Sequence, residues 1–176
     1  MKILYIDCFY GFSAHMLLGA ILDMYDISHT LSEWGDLSCT SVLRSSIECK
    51  TAFLKDSLGG DITKKAISDA IEHLGIDYVM CSPVPLNDFA DGEVISALET
   101  GGIEVYASDK GAYITLDGAR FLASVISESG AKPQMDILAV GYGADADDAD
   151  SFLCATAGEY GSEGFLQKQC EYGEYV

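Results

Sequence analysis

The sequence predicts an α/β (α+β) single domain, a mixed β-sheet flanked by helices. Three observations lead there. Residues 2–23 read as strand, turn and helix in quick succession. An amphipathic helical stretch at 62–74 runs straight into a short apolar strand at 78–81. Short strands and helices then keep alternating up to residue 157. The domain is drawn at 1–157, with a Gly-, Tyr- and Glu-rich tail at 158–176.

The elements follow in order. Lys2 to Ile6 is apolar and short enough for a buried strand, Asp7 to Ser13 is a turn, and His15 to Asp23 carries the helical pattern Met16, Leu17, Leu18, Ala20, Ile21 and Leu22. Residues 25–40 are polar and irregular, with a helical turn expected at 28–34 and Trp34 capping the core. Residues 40–47 and 48–55 alternate imperfectly and read as one or two strands, broken by Gly59-Gly60. Asp61 is placed as the N-cap of the helix 62–74, with Gly75 as its stop. Tyr78 to Cys81 is a strand, and Pro83 and Pro85 keep the next residues extended. A helix is expected at 91–99, ended by Gly101-Gly102, then a strand at 103–106 and a short one at 113–115. Leu116 or Asp117 opens a helix to about Ser129, residues 135–142 form the longest strand, 143–150 an acidic loop, and 152–157 the last strand.

Composition narrows the function classes. The chain has 28 acidic and 10 basic residues, a net charge of −18, which argues against nucleic acid or an anionic membrane as partner. No apolar run reaches the length of a membrane span, and the N-terminus does not read as a signal peptide, so a cytoplasmic protein is expected. Six cysteines without a C-x-x-C spacing read as reduced, mostly buried thiols.

Four motifs have the residue types of a functional site. Gly11-Phe12-Ser13-Ala14-His15 sits where a nucleophile elbow would, but His15 replaces the required fifth Gly, so Ser13 reads as a helix N-cap. Asp7, Cys8, His15 and Cys81 are competent metal ligands, and Cys8 and Cys81 would meet if their strands are parallel neighbours. Buried thiols beside a turn aspartate are the simpler account of the same residues. Gly141-Tyr142-Gly143-Ala144-Asp145-Ala146 matches a dinucleotide fingerprint in letters only, because Asp147, Asp148 and Asp150 would repel a phosphate. The acidic loop itself lacks the Gly and Glu of a calcium-binding EF-hand and reads as solvated. His29 and His73 read as surface residues.

Four stretches together resemble one family. They are Lys2 to Phe9 with Gly11-x-Ser13 and the Met-Leu-Leu-Gly-Ala-Ile-Leu-Asp that follows; Leu74 to Leu86, containing Cys81-Ser82-Pro83; Gly111 to Leu122; and Ile137 to Ala144. In this order they resemble the N-terminal region of the nickel-pincer cofactor nickel insertion proteins, the LarC family. The resemblance implies insertion of nickel into a pyridinium bis-thiocarboxylate mononucleotide in a CTP-dependent, metallochelatase-type reaction. It also implies a nucleotide-binding C-terminal domain that these residues do not include. The departures are specific. Tyr10, Phe12, Ala14 and His15 stand where the family reads Ser, Ile, Gly and Asp. Lys55 to Leu58 carry none of the family's histidines, Asn87 to Gly92 replace a His-Gly segment, and Thr115-Leu116-Asp117-Gly118 replaces Thr-Pro-Thr-Gly.

Three readings stand open at this point. The chain is a divergent relative of that N-terminal domain without stand-alone catalytic activity, with a ligand crevice at Asp7, Gly11, Ser13 and Cys81. Or it works in nickel-cofactor maturation with a separately encoded C-terminal partner or as a homo-oligomer, with His15 and Cys8 as metal ligands. Or it is an acidic protein-interaction module.

Overall fold

The computed structural model describes residues 1–25, 37–44, 47–54, 60–109, 113–144 and 151–161. The expected helical turn at 28–34 with His29 and Trp34, residues 55–58, the acidic loop 145–150 and the tail beyond Gly161 lie outside them.

The described elements are β1 (Lys2–Asp7), β2 (Gly11–Phe12), α1 (Ala14–Met24), β3 (Leu37–Arg44), β4 (Ile47–Leu54), α2 (Gly60–His73), β5 (Tyr78–Cys81), β6 (Val84–Leu86), α3 (Gly92–Thr100), β7 (Val105–Ala107), β8 (Tyr113–Ile114), α4 (Leu116–Val125), β9 (Glu128–Ser129), β10 (Asp136–Ala144) and β11 (Phe152–Glu159). This is an α/β domain with a mixed sheet. Five strands run in the order β10-β11-β1-β5-β9, and the antiparallel hairpin β3-β4 extends them through the pair Tyr142 and Thr51. β1 is parallel to β5 and antiparallel to β11. Two small parallel pairs, β2-β8 and β6-β7, sit beside the sheet.

β1 is buried on both faces, which explains its unbroken apolar run. Leu4 and Ile6 join the main core beneath the helices, while Ile3 and Tyr5 join Met80 in a smaller cluster on the opposite face. α1 is apolar nearly all round, and eight of its residues from Ala14 to Leu22 are buried. A helix of that composition belongs inside a domain. It packs against β10, β11 and β4 on the sheet and against α2 and α4 at its flanks.

Two glycines of β10 make that position accessible. A Cβ added to Gly143 would lie 1.8 Å from Met16 O, and one added to Gly141 would lie 2.1 Å from Ala20 O. The helix backbone therefore rests directly on the strand backbone. Asp23 Oδ2 fastens the end of the helix by accepting the Tyr142 N–H at 2.9 Å. The Gly-x-Gly that imitates a phosphate loop in letters is a seat for a helix.

The helix ends follow their local chemistry. Ser13, Asp91 and Thr115 are the N-caps of α1, α3 and α4, accepting from Met16, Glu93 and Gly118 N–H respectively. Gly75 (φ 63°) and Gly102 (φ 67°) are left-handed and close two Schellman motifs. At the first, Ile76 N–H donates to Ile71 O and Gly75 N–H to Glu72 O; at the second, Ile103 N–H donates to Leu98 O and Gly102 N–H to Glu99 O. Lys2 Nζ adds a cation at the end of α2 by donating to Leu74 O at 2.8 Å.

Several sequence expectations shift. α2 already includes Gly60, so Asp61 lies inside the helix rather than capping it. α4 ends at Val125 rather than near Ser129, because Glu128 and Ser129 are drawn into pairing with Met80 and Cys81 of β5. Ser127 N–H, donating to Val79 O at 2.7 Å, starts that pairing. The strand expected at 103–106 begins only at Val105, since the Ile103 N–H caps α3. β11 extends through Gly158 and Glu159, so the first residues assigned to the tail belong to the sheet. Pairing continues that far because Lys2 and Asp136 both find Glu159 as partner.

Gly143→Ala should destabilise the fold by about 3 kcal/mol or more, since the added methyl meets backbone atoms that have no rotamer to change. Gly92→Ala, where an added Cβ has nothing within 4 Å, should change stability little. Urea unfolding of the two variants against the parent measures the difference.

Candidate functional site

The parallel pairing of β1 with β5 brings together the two ends that the sequence singled out. Ile6 and Cys81 are Cα partners, so the Asp7-Cys8 turn and the Cys81-Ser82-Pro83 block leave the sheet at the same edge. Ser82 joins them. Its N–H donates to Ile6 O at 2.8 Å and its Oγ accepts the Cys8 N–H at 2.9 Å. The turn then closes on itself: Asp7 Oδ1 accepts the Phe9 N–H at 3.1 Å, and Gly11 N–H donates to Cys8 O at 3.0 Å. Gly11 has φ 133° and pairs with Tyr113, which places β8 alongside. Ser13 ends the turn, its Oγ accepting the Met16 N–H at 3.2 Å.

Each expected site residue therefore has a definite place. Asp7 is exposed at the edge of the sheet, Gly11 is buried, Ser13 is half-buried and engaged as an N-cap, and Cys81 is wholly buried. Cys8 is wholly buried in the same core as Cys81, and its thiol donates to Ile6 O at 4.0 Å. His15 goes elsewhere. It is exposed on α1, with Nε2 3.4 Å from Oγ1 of buried Thr63 on α2.

The two residues expected as metal ligands, His15 and Cys8, lie in different surroundings. The first helical turn carries His15 outward toward α2, while Cys8 turns inward under the sheet edge. Among the described residues, no three His, Cys, Asp or Glu side chains stand close enough together to hold a metal ion. Where the crevice was expected, Asp7 Oδ1, Gly11 N–H and Ser13 Oγ each make a hydrogen bond within the turn or to the start of α1, and Cys81 is buried. Asp7 is the one of the four that presents a charge to solvent.

The electrostatics follow from burial. The Cys8 thiol is pushed well above its usual range by the neighbouring Cys81 thiol, and further by burial. The Cys81 thiol is lowered by the Cys8 thiol and by Ser129, against the opposing effect of burial. On the other face of the sheet, burial raises Tyr5 from 10.0 to about 12, with a smaller push from Asp7. Its hydroxyl donates to Gly130 O at 3.2 Å, and Lys132 Nζ lies 5.8 Å above its ring while donating to Thr156 Oγ1.

Outside the turn's hydrogen bonds stands an aromatic group. Phe9 and Tyr10 meet edge to face at 4.8 Å, and Tyr10 lies 4.4 Å from Phe152. The sequence pointed to Tyr10 and Ser82 only through the family resemblance, and gave the ring of Phe152, Thr63 and Ser129 no role. Ser82 had one local signal of its own: it lies between a strand end and a proline, where backbone donors need a nearby acceptor. Thr63 and Ser129 depend on pairings between elements far apart in the chain, which residue spacing does not reveal.

Comparison with protein-family models, with curated proteins and with solved structures finds no match. Among the described residues, no helix is long and apolar enough to cross a membrane.

Ser13→Ala should cost about 1 kcal/mol through loss of the α1 cap, read as a lower urea midpoint. Tyr5 favours the neutral phenol in the folded state. Its contribution is intact below about pH 10 and is lost as pH rises toward about 12, by up to about 2 kcal/mol. Tyr5→Phe should flatten that alkaline limb when urea midpoints are compared across the same window.

Proposed function

We propose that this chain is a compact, divergent relative of the N-terminal region of the nickel insertion proteins, serving as a binding or assembly subunit without nickel chemistry of its own. The observation that carries the reading is spatial. The four stretches on which the resemblance rests are dispersed over the sequence, yet they gather around the opening strand, turn and helix. β5 and Ser82 flank β1, β8 flanks β2, and Gly141 and Gly143 seat α1. Residues held in one structural unit are the ones a shared scaffold would retain, because each supports the others' backbone positions.

The absence of nickel chemistry is inferred from side chains. His15 occupies the position where the family reads Asp, and it faces Thr63 rather than the cysteine pair. Cys8 and Cys81 are both wholly buried inside the core. Partnership with a separate nucleotide-binding domain belongs to the same proposal, as does the exposed aromatic turn at Phe9 and Tyr10 as its contact.

Equilibrium dialysis of the purified chain against nickel chloride tests the reading. Substoichiometric nickel, unchanged in His15→Ala and Cys81→Ala, is expected. One equivalent of bound nickel that disappears in either variant would overturn it.

A further inference from the structure

We propose that Cys8 and Cys81 form a thiol–disulfide site, a reversible cross-link between the turn after β1 and the end of β5. The proposal is independent of nickel and stands on the geometry of the sheet. Ile6, two residues before Cys8, is the Cα partner of Cys81 on a neighbouring parallel strand. The segments carrying both cysteines are held together by Ser82, through its N–H to Ile6 O at 2.8 Å and its Oγ from Cys8 N–H at 2.9 Å. Both side chains are wholly buried in the same core, and the Cys8 thiol donates at 4.0 Å to Ile6 O, the carbonyl of the strand partner of Cys81. A disulfide forms between cysteines whose backbone segments already adjoin, as these two do.

The geometry favours this pairing over one with Cys154. Cys154 is the Cα partner of Asp7, and its neighbours Leu153 and Ala155 point into the main core, so Cys154 points to the opposite face. There it is hydrogen-bonded by Tyr142 and Thr156.

The oxidant is a small-molecule disulfide such as oxidised glutathione. One cysteine thiolate attacks it, forming a mixed disulfide and expelling one glutathione thiolate. The second cysteine, after giving its proton to solvent, attacks the protein-bound sulfur and expels the other glutathione thiolate. Two protein thiols become one disulfide, and one glutathione disulfide becomes two glutathione thiols. Entry is through the turn. Phe9 and Tyr10, directly after Cys8, are 56% and 45% exposed, and local opening of the turn there gives the oxidant its route to Cys8. The cross-link would tie residue 8 to residue 81 and hold the opening turn against β5, while reduction would restore the two buried thiols.

The experiment equilibrates the native full chain in glutathione buffers of increasing oxidised fraction. Samples are acid-quenched, alkylated, digested and mapped by mass spectrometry. The expected result is a peptide pair linked through Cys8 and Cys81, with two thiols lost per chain and both recovered with dithiothreitol. Cys154→Ser should keep the link and Cys8→Ser should lose it. The parent chain's own peptide map decides the matter even where Cys8→Ser does not fold. Two outcomes would overturn the proposal: Cys8 and Cys81 both alkylated as free thiols in the most oxidising buffer, or links from them to Cys39, Cys49, Cys154 or Cys170 in comparable amounts.

Discussion

The fold depends on how closely α1 approaches β10. Met16 O and Ala20 O occupy the space where side chains of residues 143 and 141 would otherwise stand. That contact lets a helix of small and aliphatic residues sink between the sheet, α2 and α4. The alanines of β11, Ala155 and Ala157, leave the same space open on the neighbouring strand. Burial of Met16, Leu17, Leu18 and Ile21 then contributes roughly 1.5–3 kcal/mol per side chain. Larger residues on β10 would lift the helix and lose part of that burial at every position.

The position of α1 determines the turn before it. Once Ser13 caps the helix and β1 is paired on both sides, the residues between have little freedom. Asp7 Oδ1, Ser82 Oγ and Cys8 O take up the backbone donors of Phe9, Cys8 and Gly11. A turn satisfied this way has few polar groups left to offer a ligand. What it presents outward is a carboxylate and two aromatic rings, and what it encloses is a pair of thiols.

The basic residues of this acidic chain are used sparingly. Lys2 closes the end of α2, and Lys132 bridges to Thr156 beneath the Tyr5 cluster. Lys64 pairs with Asp117 at 2.6 Å and lies over Phe121, but Asp117 is 69% exposed, so the pair contributes little. Among the described residues, stability rests on packing, and carboxylates such as Asp7, Asp77, Asp88, Glu93 and Glu99 are exposed, where solvent screens them.

Much of this was legible in the residues themselves. Apolar runs and helical spacing placed β1, α1, α2, β5 and β10 within a residue or two, because burial imposes the period. Ser13, Gly75 and Gly101-Gly102 announced helix ends, since capping chemistry is local. The meeting of Cys8 with Cys81 was conditional on strand order, and His15 was counted with them only because it is near in sequence. Tertiary structure separated His15 from the thiols, ended α4 early at the edge of β5, and turned Gly141 and Gly143 from a phosphate-loop imitation into a helix seat. Sequence by itself determined the periods, the caps and the turn chemistry, which depend on neighbours along the chain. Partners across the sheet and the distance between backbones depend on residues far apart in the chain, so only the folded molecule decided them.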